Sequence, residues 1–410
     1  MENLSCLPMT VLIAHNRYRE PGGEDAVFEA EKTLLRRMGD EVLEFVRDNR
    51  EADGFSPLRV AAATIWSGES QSRLRRLIKE YRPHVVHFHN TFIFLSPAVY
   101  YACGQAGVPV VQTLHNYRLL CSAATFFRYG QICEDCLGKT PPWPGVIHGC
   151  WRDSRAATTV VAAMLAVHRW LRTWENQVDI YIALTEFARQ KFIEGGLPAH
   201  NIVVKPNFIF PDPGLRTTRG DYALFVGRLS PEKGILTLLR AWKKLRSVPL
   251  RVAGDGPLMQ HVQTVVNMQG LNGVEILGRR AHEEILQLMS HSRFLVFPSE
   301  WYETFGLTIV EAFACGLPVI VPRLGAMAEI VEHGRTGLHF EPGNAEELAA
   351  SVEWAWTHEK ELIDMGKNAR LEYELKYTAE RNYEMLMQVY DLAKQRARER
   401  YGTQYGASAR

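Results

Sequence analysis

The stretch that decides the fold is residues 294–318, FLVFPSEWYETFGLTIVEAFACGLP. Its first four residues form an apolar run that predicts a buried strand, and Pro298 and Ser299 predict a turn after it. A helix is expected to begin near Gly306, where the absent side chain permits a ligand to approach the backbone closely. The N–H groups at a helix N-terminus bind phosphate, so this strand, turn and helix predict an anion site.

Two carboxylates flank this predicted helix. Glu303 lies just before it and Glu311 about two turns away from Glu303 along the chain. Carboxylates accept hydrogen bonds from sugar hydroxyls, so both residues could hold a glycosyl or ribose group. The alternative is that both are ordinary surface acids in contact with water.

A second segment with the same design is VGRLSPEKG at residues 226–234. A strand ends at Gly227, a loop follows, and a helix is expected near Gly234. Ligands of open α/β sheets bind at the carboxyl ends of strands, which places Arg228 and Lys233 where they could bind a diphosphate. The alternative is a solvated loop with ordinary basic residues. The turn that begins at Gly254 repeats the strand, turn and helix arrangement, although such turns are common.

Alternation of strands and helices extends through both halves of the chain and predicts doubly wound parallel sheets. A cluster of Pro, Gly and Asp near residues 206–220 separates the halves. We therefore predict an N-terminal domain at 1–206, a second domain at 207–376, and, at 377–410, a C-terminal helix that packs back on the N-terminal domain and ends in a polar tail. The predicted strands are Val11–Ala14, Val42–Val46, Val85–Phe88, Val110–Val111, Asp179–Leu184, Tyr222–Val226, Leu250–Ala253, Val274–Leu277, Phe294–Phe297 and Val319–Val321.

Composition narrows the functional class. The chain has 410 residues and a formal net charge of +1, so no global field favours nucleic acid. The N-terminus lacks a long apolar stretch, and the longest apolar run, at residues 156–167, is too short to span a bilayer. Seven cysteines without an export signal favour a reducing compartment. We therefore expect a cytoplasmic protein, at the inner face of the membrane if its acceptor is a lipid.

These motifs together resemble retaining glycosyltransferases of family four, which have the GT-B fold of two Rossmann-like doubly wound domains facing a central cleft. The resemblance rests on Gly-Arg-Leu-x-x-Glu-Lys-Gly at residues 227–234, the Gly-Asp-Gly-Pro turn at 254–257, and Glu303 with seven residues between it and Glu311. It extends over residues 9–370, and its motifs are most specific in the C-terminal half.

The resemblance implies a role for each matching residue. Arg228 and Lys233 would bind the donor diphosphate, and Glu311 would hold the nucleotide ribose. Glu303 would contact the donor sugar. His115 follows a predicted strand and matches the position of a histidine near the transferred sugar; the alternative is a structural histidine. His87 and His89 are interpreted as structural. Further donor contacts are implied for Gly23, Gly254, Phe305, Gly306 and Leu307.

The predicted reaction is transfer of a sugar, with retention, from a nucleotide-diphosphate-sugar to a glycan or lipid-linked saccharide in surface polysaccharide synthesis. No Asp-x-Asp pair lies at a strand end, so no catalytic cofactor or divalent metal is expected. The alternatives are a nucleotide-sugar epimerase, a sugar phosphorylase, or a non-catalytic nucleotide-sugar-binding protein of the same fold. The apolar and cationic residues at 155–174 suggest an acceptor surface with peripheral membrane contact, or else a helix facing the core.

A cysteine-rich insertion near residues 121–150 lacks periodicity. Cys133 and Cys136 have the C-x-x-C spacing that lets two thiolates reach one ion, and Cys121 and Cys150 could complete a tetrahedron. His148 could replace one cysteine. We predict a structural zinc here, since a metal would supply the stability that packing does not; the alternative is four reduced thiols.

Overall fold

The computed structural model describes residues 8–20, 22–216 and 220–407. Residues 1–7 and the last three residues of the predicted tail lie outside this range. The chain divides into two compact units. The first comprises Met1–Ala124, Glu134–Lys205 and Asn382–Arg410, and the second comprises Thr125–Cys133 and Pro206–Arg381. The units change after residues 205 and 381, and the predicted boundaries follow residues 206 and 376.

The strands follow the apolar runs of the sequence. They are β1 Thr10–Arg17, β2 Glu41–Asp48, β3 Val85–Asn90, β4 Val110–Thr113, β5 Phe127–Arg128, β6 Gln131–Ile132, β7 Ile180–Ala183, β8 Ile202–Val204, β9 Ala223–Val226, β10 Leu250–Ala253, β11 Val274–Gly278, β12 Phe294–Val296, β13 Val319–Pro322 and β14 Gly337–Phe340.

Helices connect most of these strands. They are α1 Gly23–Arg37, α2 Pro57–Ile65, α3 Gly68–Tyr81, α4 Ala98–Ala106, α5 Trp143–His148, α6 Arg155–Trp170, α7 Thr173–Asn176, α8 Glu186–Glu194, α9 Ile235–Trp242, α10 Met259–Met268, α11 His282–Ser290, α12 Leu307–Ala314, α13 Gly325–Ile330, α14 Ala345–Thr357, α15 Glu359–Lys376 and α16 Ala379–Ala407. Short 3₁₀ turns lie at Asn49–Gly54, Ala199–Asn201 and Pro231–Lys233.

The first unit is built on a six-stranded sheet in the order β2-β1-β3-β4-β7-β8. Its paired strands are all parallel. Residues 11–14 of strand β1 are apolar, and none of them has exposed surface. The strand order reverses between β1 and β3, and the crevice at such a reversal is where open α/β sheets bind ligands.

The second unit repeats this design with the order β11-β10-β9-β12-β13-β14. Its strands are also parallel. The order reverses between β9 and β12, so the loops that follow these two strands lie side by side at the carboxyl edge. The core beside this sheet includes Leu238, Trp242 and Val252. The two sheets confirm the predicted tandem of Rossmann-like domains.

Several elements lack a sequence signal. Strands β8 and β14 were not predicted, and the insertion near residues 121–150, predicted as an aperiodic loop, contains the hairpin β5-β6 and helix α5. The hairpin belongs to the second unit, whereas the residues on either side of it belong to the first. Two-residue strands are too short to produce a detectable alternation pattern.

The predicted acceptor helix is only partly exposed. In α6 and α7 the side chains of Val161, Leu165, His168 and Trp174 are buried, so most of this face packs in the core rather than on a membrane. Trp170 is 82% exposed at the end of α6. Within the part of the chain that the structure describes, no helix combines the length and apolar character needed to cross a bilayer.

Candidate functional site

Two loops of the second unit come together at its carboxyl edge. The first follows β9 and the second follows β12. Gly234 has a φ of +67°, and a Cβ atom there would lie 1.9 Å from the carbonyl oxygen of Pro298. A residue other than glycine would push the loops apart. The backbone contact continues at Glu300, whose N–H donates to the carbonyl of Glu232 at 2.8 Å.

This contact brings the predicted cation and carboxylate into a direct ion pair. Lys233 Nζ lies 2.6 Å from Glu303 Oε1. The same carboxylate oxygen accepts a hydrogen bond from Ser299 Oγ at 2.8 Å. Glu303 is buried, whereas the Lys233 side chain is 22% exposed. The ammonium group also lies 5.1 Å from the centre of the Trp301 ring. The pair therefore has a fixed carboxylate and a cation that solvent can reach.

Glu311 lies on the buried face of α12. Burial raises the pKa of its carboxyl, and the neighbouring His282 opposes this rise. His282 Nδ1 is 3.6 Å from Glu311 Oε1, and the His282 side chain is about half exposed. His282 stands at the start of α11 in a segment with no recognisable motif, so sequence reasoning missed it.

The remaining predicted donor residues of this unit lie around the same edge. A Cβ atom at Gly254 would lie 1.8 Å from the carbonyl oxygen of Gly227, which explains the glycine there. Phe305 is buried, so it can offer a ligand its backbone rather than its side chain. Gly306 caps α12, and Leu307 is the first residue of that helix. Arg228 is exposed on the turn after β9.

In the first unit, α1 begins with Gly23 directly after the β1 loop. The N–H of Gly22 donates to Asp25 Oδ2 at 2.9 Å, which fixes the start of the helix. A Cβ atom at Gly23 would meet no protein atom within 4 Å. No neighbouring atom of the described residues therefore requires a glycine at position 23, and the open space beside Gly23 suits the approach of a ligand.

His115 lies just after β4 and contacts His89 at the end of β3. His115 Nε2 and His89 Nδ1 are 3.0 Å apart. Both residues line a cavity of about 40 Å³ in this unit. Burial first, and the neighbouring histidines next, lower the pKa of His115 well below its usual value. His115 is therefore a neutral imidazole at neutral pH, able to exchange hydrogen bonds but not to supply charge.

One carboxyl of this unit is held neutral. Burial raises the pKa of Glu24 to about 8, against a hydrogen bond from Asn116 that lowers it. Asn116 Nδ2 donates to Glu24 Oε2 at 3.0 Å. Glu24 directly follows Gly23 and was not predicted, because burial of an acid in the first helical turn leaves no mark in the sequence.

The four cysteines of the insertion fall in both units. Cys133 belongs to the second unit, whereas Cys121, Cys136 and Cys150 belong to the first. Cys121 and Cys136 are buried. The zinc stays a prediction.

Two family models match the chain in succession. Residues 22–212 match the model described as Glycosyltransferase Family 4, and residues 210–372 match the model described as Glycosyl transferases group 1. The second match contains both loops that carry Lys233 and Glu303. The chain belongs to the family-four type of glycosyltransferases. The resemblance inferred from the motifs is thereby confirmed.

Relatives of this glycosyltransferase share parts of its length. An uncharacterized glycosyltransferase of Methanocaldococcus jannaschii is 34% identical over 42% of this chain and 49% of its own. The sulfoquinovosyl transferase SQD2 of Arabidopsis thaliana is 24% identical over 83% of this chain and 65% of its own. The chain thus matches less than two thirds of the length of these curated relatives.

A solved structure shares the fold. The Anabaena protein Alr3699/HepE, solved in complex with UDP, has a TM-score of 0.68 at 19% identity, over 93% of this chain and 100% of that one. The fold is GT-B, as predicted.

Proposed function

We propose that this glycosyltransferase moves a sugar from a nucleotide-diphosphate-sugar to a saccharide acceptor. The observation that carries the proposal is the pair of Lys233 and Glu303, at the carboxyl ends of β9 and β12. It provides a cation for phosphate and a carboxylate for hydroxyl groups at the position where α/β sheets bind ligands.

Each donor residue then has a defined task. Lys233 and Arg228 stabilise the negative charge that develops on the diphosphate as it leaves. Glu303 accepts hydrogen bonds from the sugar and also orients the Lys233 ammonium. Glu311 accepts hydrogen bonds from the ribose hydroxyls. In the first unit, the neutral His115 contacts the sugar through a hydrogen bond, and Gly23 gives a phosphate access to the backbone.

The proposed transfer retains the configuration at the anomeric carbon. The bond between that carbon and the phosphate oxygen breaks while a bond to the acceptor oxygen forms on the same face. The acceptor hydroxyl gives its proton to the leaving phosphate oxygen. Arg228 and Lys233 supply the positive charge, so catalysis is proposed to need no divalent metal.

Incubation with radiolabelled UDP-, GDP- and ADP-sugars and a bacterial lipid extract tests the proposal. Label on a lipid or glycan is the expected result. A changed sugar nucleotide without transfer would indicate an epimerase, and binding without either reaction would indicate a non-catalytic protein. UDP-glucose is the first donor to test because the Anabaena neighbour was solved with UDP-glucose as well as with UDP.

The acceptor is proposed to be a glycan or a lipid-linked saccharide of a surface polysaccharide. Trp170 and Arg172 are exposed at the end of α6 and could touch a membrane surface. The buried side chains of the same helix restrict any such contact to this end. Co-sedimentation with anionic vesicles, compared between the parent and Trp170→Ser, measures the contribution of this end to membrane binding.

A structural zinc bound by the cysteines of the insertion is a separate proposal. Purified, reduced protein is expected to contain about one zinc per chain, the number that one four-cysteine site holds. Cys133→Ser and Cys136→Ser should each lose it while nucleotide-sugar binding persists. Elemental analysis that finds no metal in the parent protein would refute the site.

A further inference from the structure

A carboxylate that the transfer chemistry does not use lies inside the first unit. Glu31 is 1% exposed on α1, on the face that also buries Phe28, Leu34 and Leu35. Placing an ionised carboxylate in such a position is costly unless partners satisfy it. Its partners therefore indicate why it is there.

Three groups surround this carboxylate. Glu31 Oε1 lies 2.9 Å from His87 Nδ1 and 3.1 Å from His89 Nε2. Glu31 Oε2 lies 3.5 Å from Lys205 Nζ. Burial alone would raise the pKa of Glu31, but the two histidine neighbours and the Lys205 ammonium bring that pKa well below its usual value. Glu31 is therefore ionised and can only accept hydrogen bonds.

An acceptor on one side of His89 determines where the proton of that imidazole lies. Burial lowers the pKa of His89 to about 4, against the attraction of Glu31, so the ring is neutral at neutral pH. Its one N–H must then be Nε2–H, because that nitrogen faces the carboxylate. His89 Nδ1 is left as a hydrogen-bond acceptor.

The acceptor nitrogen of His89 in turn determines which nitrogen of His115 carries the proton. His115 Nε2 is 3.0 Å from His89 Nδ1, the two ring planes are inclined by 19°, and the ring centroids are 5.1 Å apart, so the two nitrogens lie along the line that joins the rings. This is the geometry of an in-plane N–H···N hydrogen bond. Since His89 Nδ1 can only accept, His115 must donate through Nε2–H. In this neutral ring Nδ1 then carries a lone pair and acts as an acceptor.

We propose that Glu31 and His89 are positioning residues, which hold His115 in one orientation and in the Nε2–H tautomer, so that it meets a hydroxyl of the donor sugar with an acceptor nitrogen. The tautomer follows from the first unit alone. The consequence for the sugar rests on the proposed function. Metal sites use the same device, in which a carboxylate behind a histidine fixes the ring and its tautomer.

A metal ion is the competing explanation of the cluster. The ligand atoms of Glu31, His87 and His89 lie within 4.8 Å of one another. However, His87 Nδ1 also lies 2.9 Å from Tyr390 Oη, and His87 Nε2 lies 2.8 Å from Thr113 Oγ1. The Lys205 ammonium already balances the carboxylate, so a divalent cation would face a neighbouring positive charge. Hydrogen bonds account for these atoms without a metal.

Other polar groups border the cluster. Asn382 Oδ1 accepts a hydrogen bond from Lys205 Nζ at 3.2 Å. On the β1 side, His15 Nε2 lies 3.0 Å from Asp25 Oδ1, and the His15 ring centre is 6.3 Å from that of His89. Titration of this second pair could reach His115, so the tautomer is best measured at several pH values between 6 and 8.

The experiment compares His89→Met with His89→Gln. Methionine removes both hydrogen bonds of His89, whereas glutamine can restore them, with its amide N–H facing Glu31 and its oxygen facing His115. Long-range ¹H–¹⁵N NMR spectra of ¹⁵N-histidine-labelled protein without ligand report the tautomer. We expect Nε2–H for His115 in the parent and in His89→Gln, and a mixture of tautomers in His89→Met.

The kinetic part uses the donor on which the parent is active. We expect kcat to fall about 10- to 100-fold in His89→Met, the scale of a small misplacement of a reacting group, with KM for the donor changed much less. His89→Gln should recover most of the loss. His87→Gln is the matched control: His87 binds the same oxygen of Glu31, yet its loss should leave the tautomer of His115 unchanged.

A second variant covers the case in which His89→Met does not fold. Glu31→Leu combined with Lys205→Met removes one charge of each sign and the acceptor behind His89, and should also produce mixed tautomers of His115. An Nδ1–H tautomer in the parent, or parent-like spectra in both variants, would overturn the proposal. So would a stoichiometric metal that Cys133→Ser and Cys136→Ser both retain, since such a metal would not be bound by the cysteines of the insertion. A parent without transfer activity would refute the proposed function while the spectra still decide the tautomer.

Discussion

Each unit contains a lysine paired with a glutamate, and the two pairs differ in their access to solvent. In the second unit, Lys233 is 22% exposed beside Glu303. In the first, the Lys205 and Glu31 side chains are 3% and 2% exposed, at a longer distance of 3.5 Å. The Glu31 carboxylate of the first unit also contacts two histidines, whereas the Glu303 carboxylate of the second unit also accepts a hydrogen bond from a serine hydroxyl.

The difference in solvent access suits the two pairs to different tasks: one to binding a ligand, the other to positioning neighbouring side chains. Because water reaches Lys233, its ammonium can turn from the carboxylate to a ligand phosphate at a lower cost than a fully buried cation, since solvent weakens an ion pair. A buried pair cannot be broken in this way, because removing one partner leaves an uncompensated charge that costs about 3–5 kcal/mol. We therefore expect the charges of the second unit to act on the ligand, and those of the first to act on neighbouring side chains.

The largest expected effect is on catalysis through the pair of Lys233 and Glu303. Lys233→Ala should lower the rate of transfer about 10²- to 10³-fold, the usual loss when one charge-stabilising contact to a transition state is removed. Arg228→Ala should have an effect of similar size. Steady-state rates with the active donor, together with circular dichroism to verify folding, measure this effect.

Lys244→Ala is the matched control for these variants. Lys244 is an exposed lysine of the same unit, paired with Glu346 on the surface. Its removal should leave transfer within twofold of the parent, since surface pairs contribute about 0–1 kcal/mol at most. Near-normal turnover in Lys233→Ala would refute the assignment of the diphosphate site.

A smaller effect is expected on stability in the first unit, where Glu24 is held neutral. The folded chain keeps the proton of Glu24 up to about pH 8, whereas the ordinary pKa is 4.5. The stability linked to this group is therefore fully present below pH 4.5 and is lost as the pH rises to about 8. Glu24→Gln remains neutral, so it should be more stable than the parent by about 1–3 kcal/mol near the upper pH.

Thermal unfolding at a series of pH values from 5 to 8 tests this expectation. The difference in stability between Glu24→Gln and the parent should grow steadily with pH. Glu80→Gln, at an exposed position of the same unit, should show a constant difference. A constant difference for Glu24→Gln would mean that the folded carboxyl is ionised over the whole range.

The next effect concerns donor affinity. Glu311→Gln should raise Kd for the donor about 10-fold, since a hydrogen bond to a charged group contributes about 1.5–3 kcal/mol and the amide keeps one acceptor. Burial raises the pKa of Glu311, so donor affinity in the parent should weaken as the pH falls and the carboxyl takes up its proton. The glutamine variant should lose this pH dependence.

Titration calorimetry with the donor measures both effects. The exposed Glu353→Gln serves as control, because Glu353 is on the outer surface of α14. If Glu311→Gln lowered kcat with unchanged donor affinity, Glu311 would act in the reaction rather than in ribose binding.

The contrast between the units also explains what the sequence could predict. All strands of the two sheets except β8 and β14 were predicted, because continuous apolar runs such as Val11–Ala14 are typical of parallel strands buried on both faces. Lys233 and Glu303 were found because each occupies a fixed place in a motif that spans a loop. Their ion pair needed the structure, because 70 residues of chain separate them.

The network of the first unit had no such signal. His87 and His89 were interpreted as structural histidines, and Glu31 was one acid among many in an amphipathic helix. Their association depends on how α1 packs against β3, which no local pattern encodes. The partner of Glu311, His282, was missed for the same reason. The sequence thus predicts groups that follow strands in short motifs, but not groups that meet through packing of a sheet against a helix.

The smallest expected effect is that of a chelator. Transfer in a short assay with about 1 mM EDTA, an excess over trace metal, should equal transfer without EDTA. Arg228 and Lys233 supply the charge that a divalent ion supplies in enzymes with an acidic metal pair. The sequence has no Asp-x-Asp pair at a strand end to hold such an ion. Prolonged exposure is a different experiment, since it could remove a structural zinc from the cysteines and act through stability. An immediate loss of transfer that Mg²⁺ or Mn²⁺ restores would show that Arg228 and Lys233 do not suffice. The pair of the second unit would then act together with a divalent metal, whereas the buried pair of the first unit would still act only on neighbouring side chains.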